Sequence, residues 1–97
     1  MIYSKIHTHE KDRILAACDE DILGKTFRGD GVKITVSEHF YGGEVITAET
    51  FIERTRSVTI INLVGNEVID VAVRAGIISE KNVITIGEVR HAQAVVF

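Results

Sequence analysis

Cys18, Asp19 and His91 are the residue types in this chain that could build a nucleophilic site. A thiol attacks only as its thiolate, so Cys18 would need a base such as His91 or His39 beside it. Asp19 would then orient the imidazole. The local pattern argues for a plainer role. Cys18 closes the apolar run Ile14-Leu15-Ala16-Ala17, and an unpaired cysteine so placed is most often packed in a core. Asp19 serves there equally well as the cap of a following turn. The expectation is that no catalytic residue is present. Cys18, Asp19 and His91 are the set an enzyme acting on a phosphorylated or acyl small molecule would use.

His7 and His9 stand two apart, so on a strand both rings face one side. A metal site needs three or four ligands, and no second spaced His or Cys pair follows them. They are the only metal candidates, and neither a metal nor another cofactor is expected. Gly24-Lys25-Thr26 resembles the end of a phosphate loop, but that motif needs a glycine where Asp19 stands. Asp19, Glu20 and Asp21 would also bring negative charge to the phosphate. Nucleotide binding of that kind is not expected.

A different grouping suits RNA. Lys25 and Arg28, with Lys33, flank the Gly29-Asp30-Gly31 turn, and Arg90-His91 could approach from the last strand. Phosphate contacts from Lys25 and Arg28, with shape or base-edge contacts from Tyr41, Asn62, His91 and Gln93, are the minimum of a small RNA site. The overall charge limits this reading. Eleven Lys and Arg against 14 Asp and Glu leave a net charge of −3, so a global electrostatic grip on phosphates is disfavoured while a local patch is not.

The elements that must hold these residues are short. Ninety-seven residues, 45% apolar and 26% charged, support one compact domain over residues 1–97. The single cysteine forms no internal disulfide. No secretory leader or membrane-length apolar run is present, so a cytoplasmic location without membrane association is expected. Residues 1–7 and 13–18 have strand content and are separated by Thr8-His9-Glu10-Lys11-Asp12, which predicts a hairpin with a five-residue loop. Asp19-Glu20-Asp21 opens a short turn ending near Gly24, and Val32, Ile34 and Val36 alternate as a half-buried strand does. Phe40-Tyr41-Gly42-Gly43 marks a bend.

Thr47 is placed as an N-cap, with Ile46 and Phe51 as its hydrophobic staple, for a helix over about 48–56. From Ser57 to Gly76, Ile61, Val64, Val68, Val71, Ala72 and Ala75 fall on one helical stripe, with Gly65 as the point of a bend or break. Gly76 is placed as a left-handed C-cap with Ile77 folding back on Ala72. Val83–Ile86 and Ala92–Phe97 predict two closing strands, turned at Gly87-Glu88. The sum is an α+β fold: one mainly antiparallel sheet of four or five strands, with helices packed on one face.

Several strings recur together: Ala17-Cys18-Asp19, Leu23-Gly24-Lys25-Thr26-Phe27-Arg28, Phe40-Tyr41-Gly42-Gly43, Asn62-Leu63-Val64-Gly65 and His91-Ala92-Gln93. In order and spacing they resemble an archaeal family of small proteins, domain of unknown function 424. One departure is that the family typically has Gly-Val-Pro-His-Ala-Gln where this chain has Gly87-Glu88-Val89-Arg90-His91-Ala92-Gln93. The resemblance implies a cytoplasmic protein and, by analogy, an accessory of translation or RNA handling. An RNA- or ribonucleoprotein-binding module is therefore the leading expectation. A cysteine/histidine enzyme is one alternative. The other is a protein-interaction module or homodimer that uses an apolar strip at Val95 and Phe97.

Overall fold

A computed structural model describes residues 1–96, so Phe97, half of the expected apolar strip, lies outside the described residues. The chain begins with strands β1 (Ile2–His9) and β2 (Asp12–Asp19). They pair along their whole length, from Ile2 opposite Asp19 to His9 opposite Asp12. The connecting loop is therefore the two residues Glu10-Lys11, not five. Polar Thr8, His9 and Asp12 continue the ladder because backbone pairing does not require apolar side chains. A single 3-10 turn at Glu20–Ile22 leads into a separate ribbon of β3 (Thr26–Gly29) and β4 (Val32–Thr35). Its Asp30-Gly31 loop takes positive φ at both residues (51° and 79°), the geometry that matches the twist of a tight hairpin.

Helix α1 (Glu38–Tyr41), strand β5 (Glu44–Ile46) and helix α2 (Ala48–Arg54) come next. The Thr47 side chain accepts from the Thr50 amide as its N-cap. Ile46 and Phe51, the expected staple, are both buried in one core cluster. A 3-10 turn at Thr55–Ser57 ends this segment. Strand β6 (Ile60–Val64), helix α3 (Asn66–Arg74), a 3-10 turn at Glu80–Asn82, and strands β7 (Val83–Ile86) and β8 (Val89–Val95) complete the described chain.

The principal sheet has six strands in the order β5-β1-β2-β6-β8-β7. All its pairs are antiparallel except β2 with β6, which run parallel. The expected four- or five-stranded antiparallel sheet is thus a six-stranded mixed one, and the reason lies in Ile60–Val64. The helical stripe predicts a long helix through that segment. It is instead a strand at the centre of the sheet, paired on both sides. A central strand with apolar residues on both faces, as here at all positions but Asn62, also satisfies a helical stripe. The ambiguity ends at Gly65, whose φ of 129° stops the strand and starts α3. At the far end of α3, Gly76 is left-handed (φ 73°) and the Ile77 amide bonds the Ala72 carbonyl at 2.9 Å, the expected cap.

The sheet is covered on both faces, not one. On the first, α2 and α3 pack over Ile2, Leu15, Ala17, Ile61, Leu63 and Ala92. On the second, α1 and the β3–β4 ribbon cover Ala16, Cys18, Val64, Ile86 and Val89. Phe27 and Ile34, cross-strand partners in the ribbon, point inward onto this second cluster. The ribbon end crosses the β7–β8 turn so closely that a Cβ on Gly29 would strike the Gly87 backbone. Both crossing points are therefore glycine.

Candidate functional site on the second face of the sheet

Strand register sorts the candidate residues into two groups. On β2, Cys18 points to the second face and Asp19 to the first, because alternate residues face opposite sides. On β8, His91 and Gln93 share the second face, while Arg90 turns to α3. On β6, Asn62 shares the second face with Val64. Register then places Ala16, Asn62 and Gln93 in one row across β2, β6 and β8. Cys18, Val64, His91 and Ile84 form the next row, and Ile14, Ile60 and Val95 the row on the other side.

Asp19 has a structural task. Gly65 is the N-cap residue of α3 and brings no side chain to bond the free amides. Asp19, at the end of the neighbouring parallel strand, supplies the cap instead. Its two carboxylate oxygens accept from the Glu67 and Val68 amides at 2.9 and 2.8 Å. Burial pushes this carboxyl above its ordinary range, and the two amides work against that shift. Gly65 packs against the carboxylate so tightly that a Cβ would overlap it. The strings Ala17-Cys18-Asp19 and Val64-Gly65 are thus halves of one cap. The helix N-terminus that would receive a phosphate already holds the protein's own anion.

Cys18 is fully buried. Burial first, then the charges of Asp19 and Asp21, push its thiol up to about 12, opposite to what an attacking thiolate requires. Val64 stands between Cys18 and His91 in their row, so the backbones lie two strand spacings apart, about 10 Å. The geometry does not bring together the set an enzyme would use. His7 is also engaged: Nε2 lies 2.8 Å from the Phe40 carbonyl, and the ring stacks on Phe40 at 4.6 Å between centroids. His9 is exposed near the β1–β2 turn. Among the described residues, no three His, Cys, Asp or Glu side chains converge as a metal site.

The RNA candidates divide. Tyr41, a predicted contact residue, is buried, and its hydroxyl donates to Asn62 Oδ1 at 2.5 Å. It positions Asn62 and leaves no ring face free. Lys25, exposed and without an ion pair among the described residues, lines a hollow of about 320 Å³ together with Asp19, Asp21 and Glu88. Arg28 is exposed, and its cross-strand partner is Lys33, also exposed. Like charges directly opposite each other on a ribbon are unfavourable unless something else neutralises them. Neither forms an ion pair among the described residues; the four present involve Met1, Arg54, Arg74 and Arg90. Arg90, expected to join this patch, bonds Asn66 and Asp70 of α3 on the other face. The sequence groups Lys33 with Lys25 and Arg28 around the turn, and the phosphate contacts expected from it are Lys25 and Arg28. The two-residue Asp30-Gly31 loop, which fixes Lys33 opposite Arg28, is the signal that could have found it.

Asn62, His91 and Gln93 remain as one group. His91 Nδ1 lies 2.8 Å from the Leu63 carbonyl. A carbonyl only accepts, so Nδ1 carries the proton and Nε2 is the outward nitrogen. Among the described residues, Asn62 Nδ2, His91 Nε2 and the Gln93 amide have no protein partner, and no buried side-chain polar atom goes unpaired. Their free ends therefore reach solvent. Around them the same face exposes Ile84 (54%) and Val95 (61%). A second hollow, of about 410 Å³, lies elsewhere, at the C-terminal ends of α2 and α3. Ile52, Val58, Ile77, Val95 and Val96 line it together with Thr55 and Arg56, and it gathers no paired acid and base.

No curated protein matches the chain. Among solved structures, the crystal structure of an uncharacterized conserved protein from Methanopyrus kandleri matches with a TM-score of 0.81 and 30% identity. The match covers 99% of this chain and 91% of that one. Residues 6–97 match the family described as "Protein of unknown function (DUF424)". With its capped strand pair and partly open second face, the chain belongs to the DUF424 family.

Proposed function

We propose that this chain is an RNA- or ribonucleoprotein-binding module whose contact surface is the second face of the sheet. The observation that carries the reading is the pairing of Arg28 with Lys33 across an exposed ribbon, with no acid joined to either among the described residues. The ribbon lies on the same side of the sheet as Asn62, His91 and Gln93. Phosphate contacts position a strand and other groups read it, and this face has both kinds. The net charge of −3 sets the scale. Few phosphates are engaged, so affinity is modest and depends on the local patch.

The test is a salt titration of binding to a single-stranded RNA oligomer, followed by fluorescence anisotropy. Replacing both Arg28→Ala and Lys33→Ala should reduce the slope of log K against log salt by about 1.4, at roughly 0.7 for each single-strand phosphate that the protein no longer neutralises. Lys25→Ala should change it less, because Asp21 and Glu88 line the same hollow and lower the local positive potential. An unchanged slope in the double variant removes the assignment.

A protein-interaction reading has one specific observation behind it: Ile84 and Val95 are large, apolar and exposed on this same face. Self-association that rises with concentration in light scattering, and falls in Ile84→Asp, would favour it over RNA.

A further inference from the structure

Asn62, His91 and Gln93 differ from ordinary surface polar residues because two of them have their hydrogen-bonding direction fixed from behind. Tyr41 is buried, and burial with the nearby Cys18 pushes its hydroxyl up to about 12. It therefore stays protonated and donates across neutral pH. Because that donation occupies Asn62 Oδ1, the Asn62 amide turns its two N–H donors outward. His91 donates Nδ1–H to the Leu63 carbonyl, so its neutral ring presents an acceptor at Nε2. Gln93 stands directly opposite Asn62 in the ladder and two residues from His91 on the same face. Its free amide supplies both donor and acceptor groups.

All three sit on the neighbouring interior strands β6 and β8, where Asn62 and His91 lie in backbone paired on both sides and Gln93 in backbone paired to β6, so the array is held by the sheet as well as oriented. It is uncharged when His91 is neutral. A fixed donor beside a fixed acceptor, on a rigid surface with apolar neighbours, matches a planar heterocycle carrying adjacent acceptor and donor atoms on its edge. Nucleobases have such edges, and those edges are free only when the base is unpaired. Exposed Ile84 and Val95 flank the array, apolar surface for the faces of bases. The cations of Arg28 and Lys33 lie on the same side and complement a phosphate backbone.

We infer that Asn62, His91 and Gln93 read the edge of an unpaired nucleobase, with Tyr41 as the positioning residue that orients Asn62. This inference rests on the RNA-binding reading and gives its ligand class: single-stranded RNA in preference to duplex. The phosphate contacts alone cannot supply that preference, because a duplex carries more phosphate per unit length than a single strand.

The experiment compares binding of the full chain to a single-stranded RNA of mixed sequence, about 12 nucleotides long to exceed one small binding site, and to a duplex of the same length, at one fixed salt concentration. The expected result is single-strand binding at least about tenfold tighter than duplex binding, the scale of one well-made edge contact. Asn62→Ala and Gln93→Ala should shrink that preference to within a few-fold and leave duplex affinity unchanged. Tyr41→Phe should reduce the preference in the same direction, a change in selectivity that loss of packing alone would not produce. The Arg28→Ala/Lys33→Ala pair should weaken both ligands together. If Asn62→Ala does not fold, Gln93→Ala carries the test, since that side chain is exposed and bonded to nothing among the described residues. Equal affinity for the two RNAs, or a preference that survives Gln93→Ala and Tyr41→Phe, overturns the base-edge inference while leaving phosphate binding in place. Binding to neither RNA overturns both this inference and the reading beneath it.

Discussion

The two faces of the central sheet use the same strands for opposite ends. On the first face, Leu15, Ala17, Ile61, Leu63 and Ala92 meet α2 and α3 in a continuous apolar core. The polar groups there pair within the protein: Asp19 with the α3 amides, Arg90 with Asn66 and Asp70. On the second face, cover is partial. Cys18, Val64 and Ile86 lie under the ribbon and α1, while Asn62, His91 and Gln93, from the same two strands as Leu63 and Ala92, keep free hydrogen-bonding ends. A strand alternates its side chains between faces, so one segment can serve stability and recognition with different residues. Satisfied polar groups on one side and free hydrogen-bonding ends on the other separate scaffold from candidate site.

The sharpest way to break that comparison is at the scaffold's narrowest point. Gly65→Ala forces a Cβ into the Asp19 carboxylate at a φ of 129°. Backbone strain and overpacking together should cost about 3–5 kcal/mol, a large share of a small domain's stability. Urea unfolding measures it, and a loss under about 1 kcal/mol, the size of an ordinary substitution, would mean the cap is not what holds α3 to β2.

A paired substitution tests the two faces directly. Leu63 and Gln93 sit on the adjacent strands β6 and β8, one residue off the same row. Leu63→Ala should cost about 2–5 kcal/mol by leaving a cavity in the first core. Gln93→Ala should stay within about 0.5 kcal/mol because its side chain packs on nothing that folding needs. Comparable losses would mean that the second face is scaffold as well.

Much of the scaffold was legible in the chain. The Thr47 cap with its Ile46–Phe51 staple and the Gly76 cap returning Ile77 to Ala72 follow from local sequence rules and describe contacts a few residues apart, and the packed position of Cys18 follows from the apolar run it closes. What stayed hidden was non-local. Ile60–Val64 is apolar on both faces except at Asn62, so it lacks the alternation of residue type that marks a strand, and its spacing continued the stripe of α3. Asp19 capping a helix through an amide 48 residues away leaves no local trace, since the cap position itself holds a glycine. The site was legible in its members and not in its arrangement. Asn62, His91 and Gln93 were recognisable candidates, but Tyr41 as the anchor of Asn62, and Lys33 in place of Lys25 beside Arg28, depend on register and on which side a residue faces.

Alkaline pH gives a smaller effect that sharpens the account of the covered part of the second face. Cys18 and Tyr41 both titrate near 12 in the fold, against 9.0 and 10.0 for the free groups. The unfolded chain therefore loses these protons first. Stability contributed by the protonated thiol and hydroxyl is intact below about pH 9 and is lost as pH rises toward about 12. Urea midpoints between about pH 8 and 11 should fall, and Cys18→Ala should remove the earlier part of that fall. A wild-type midpoint that stays level across that range would place both groups in water and not under the ribbon.

The most direct test of the division between faces is an amide chemical-shift titration of the labelled chain with single-stranded RNA. The account predicts shifts gathered at Arg28, Lys33, Asn62, Ile84, His91 and Gln93, with α2 and α3 unmoved. Shifts centred on α2 and α3, or on the hollow at their C-terminal ends, would contradict it.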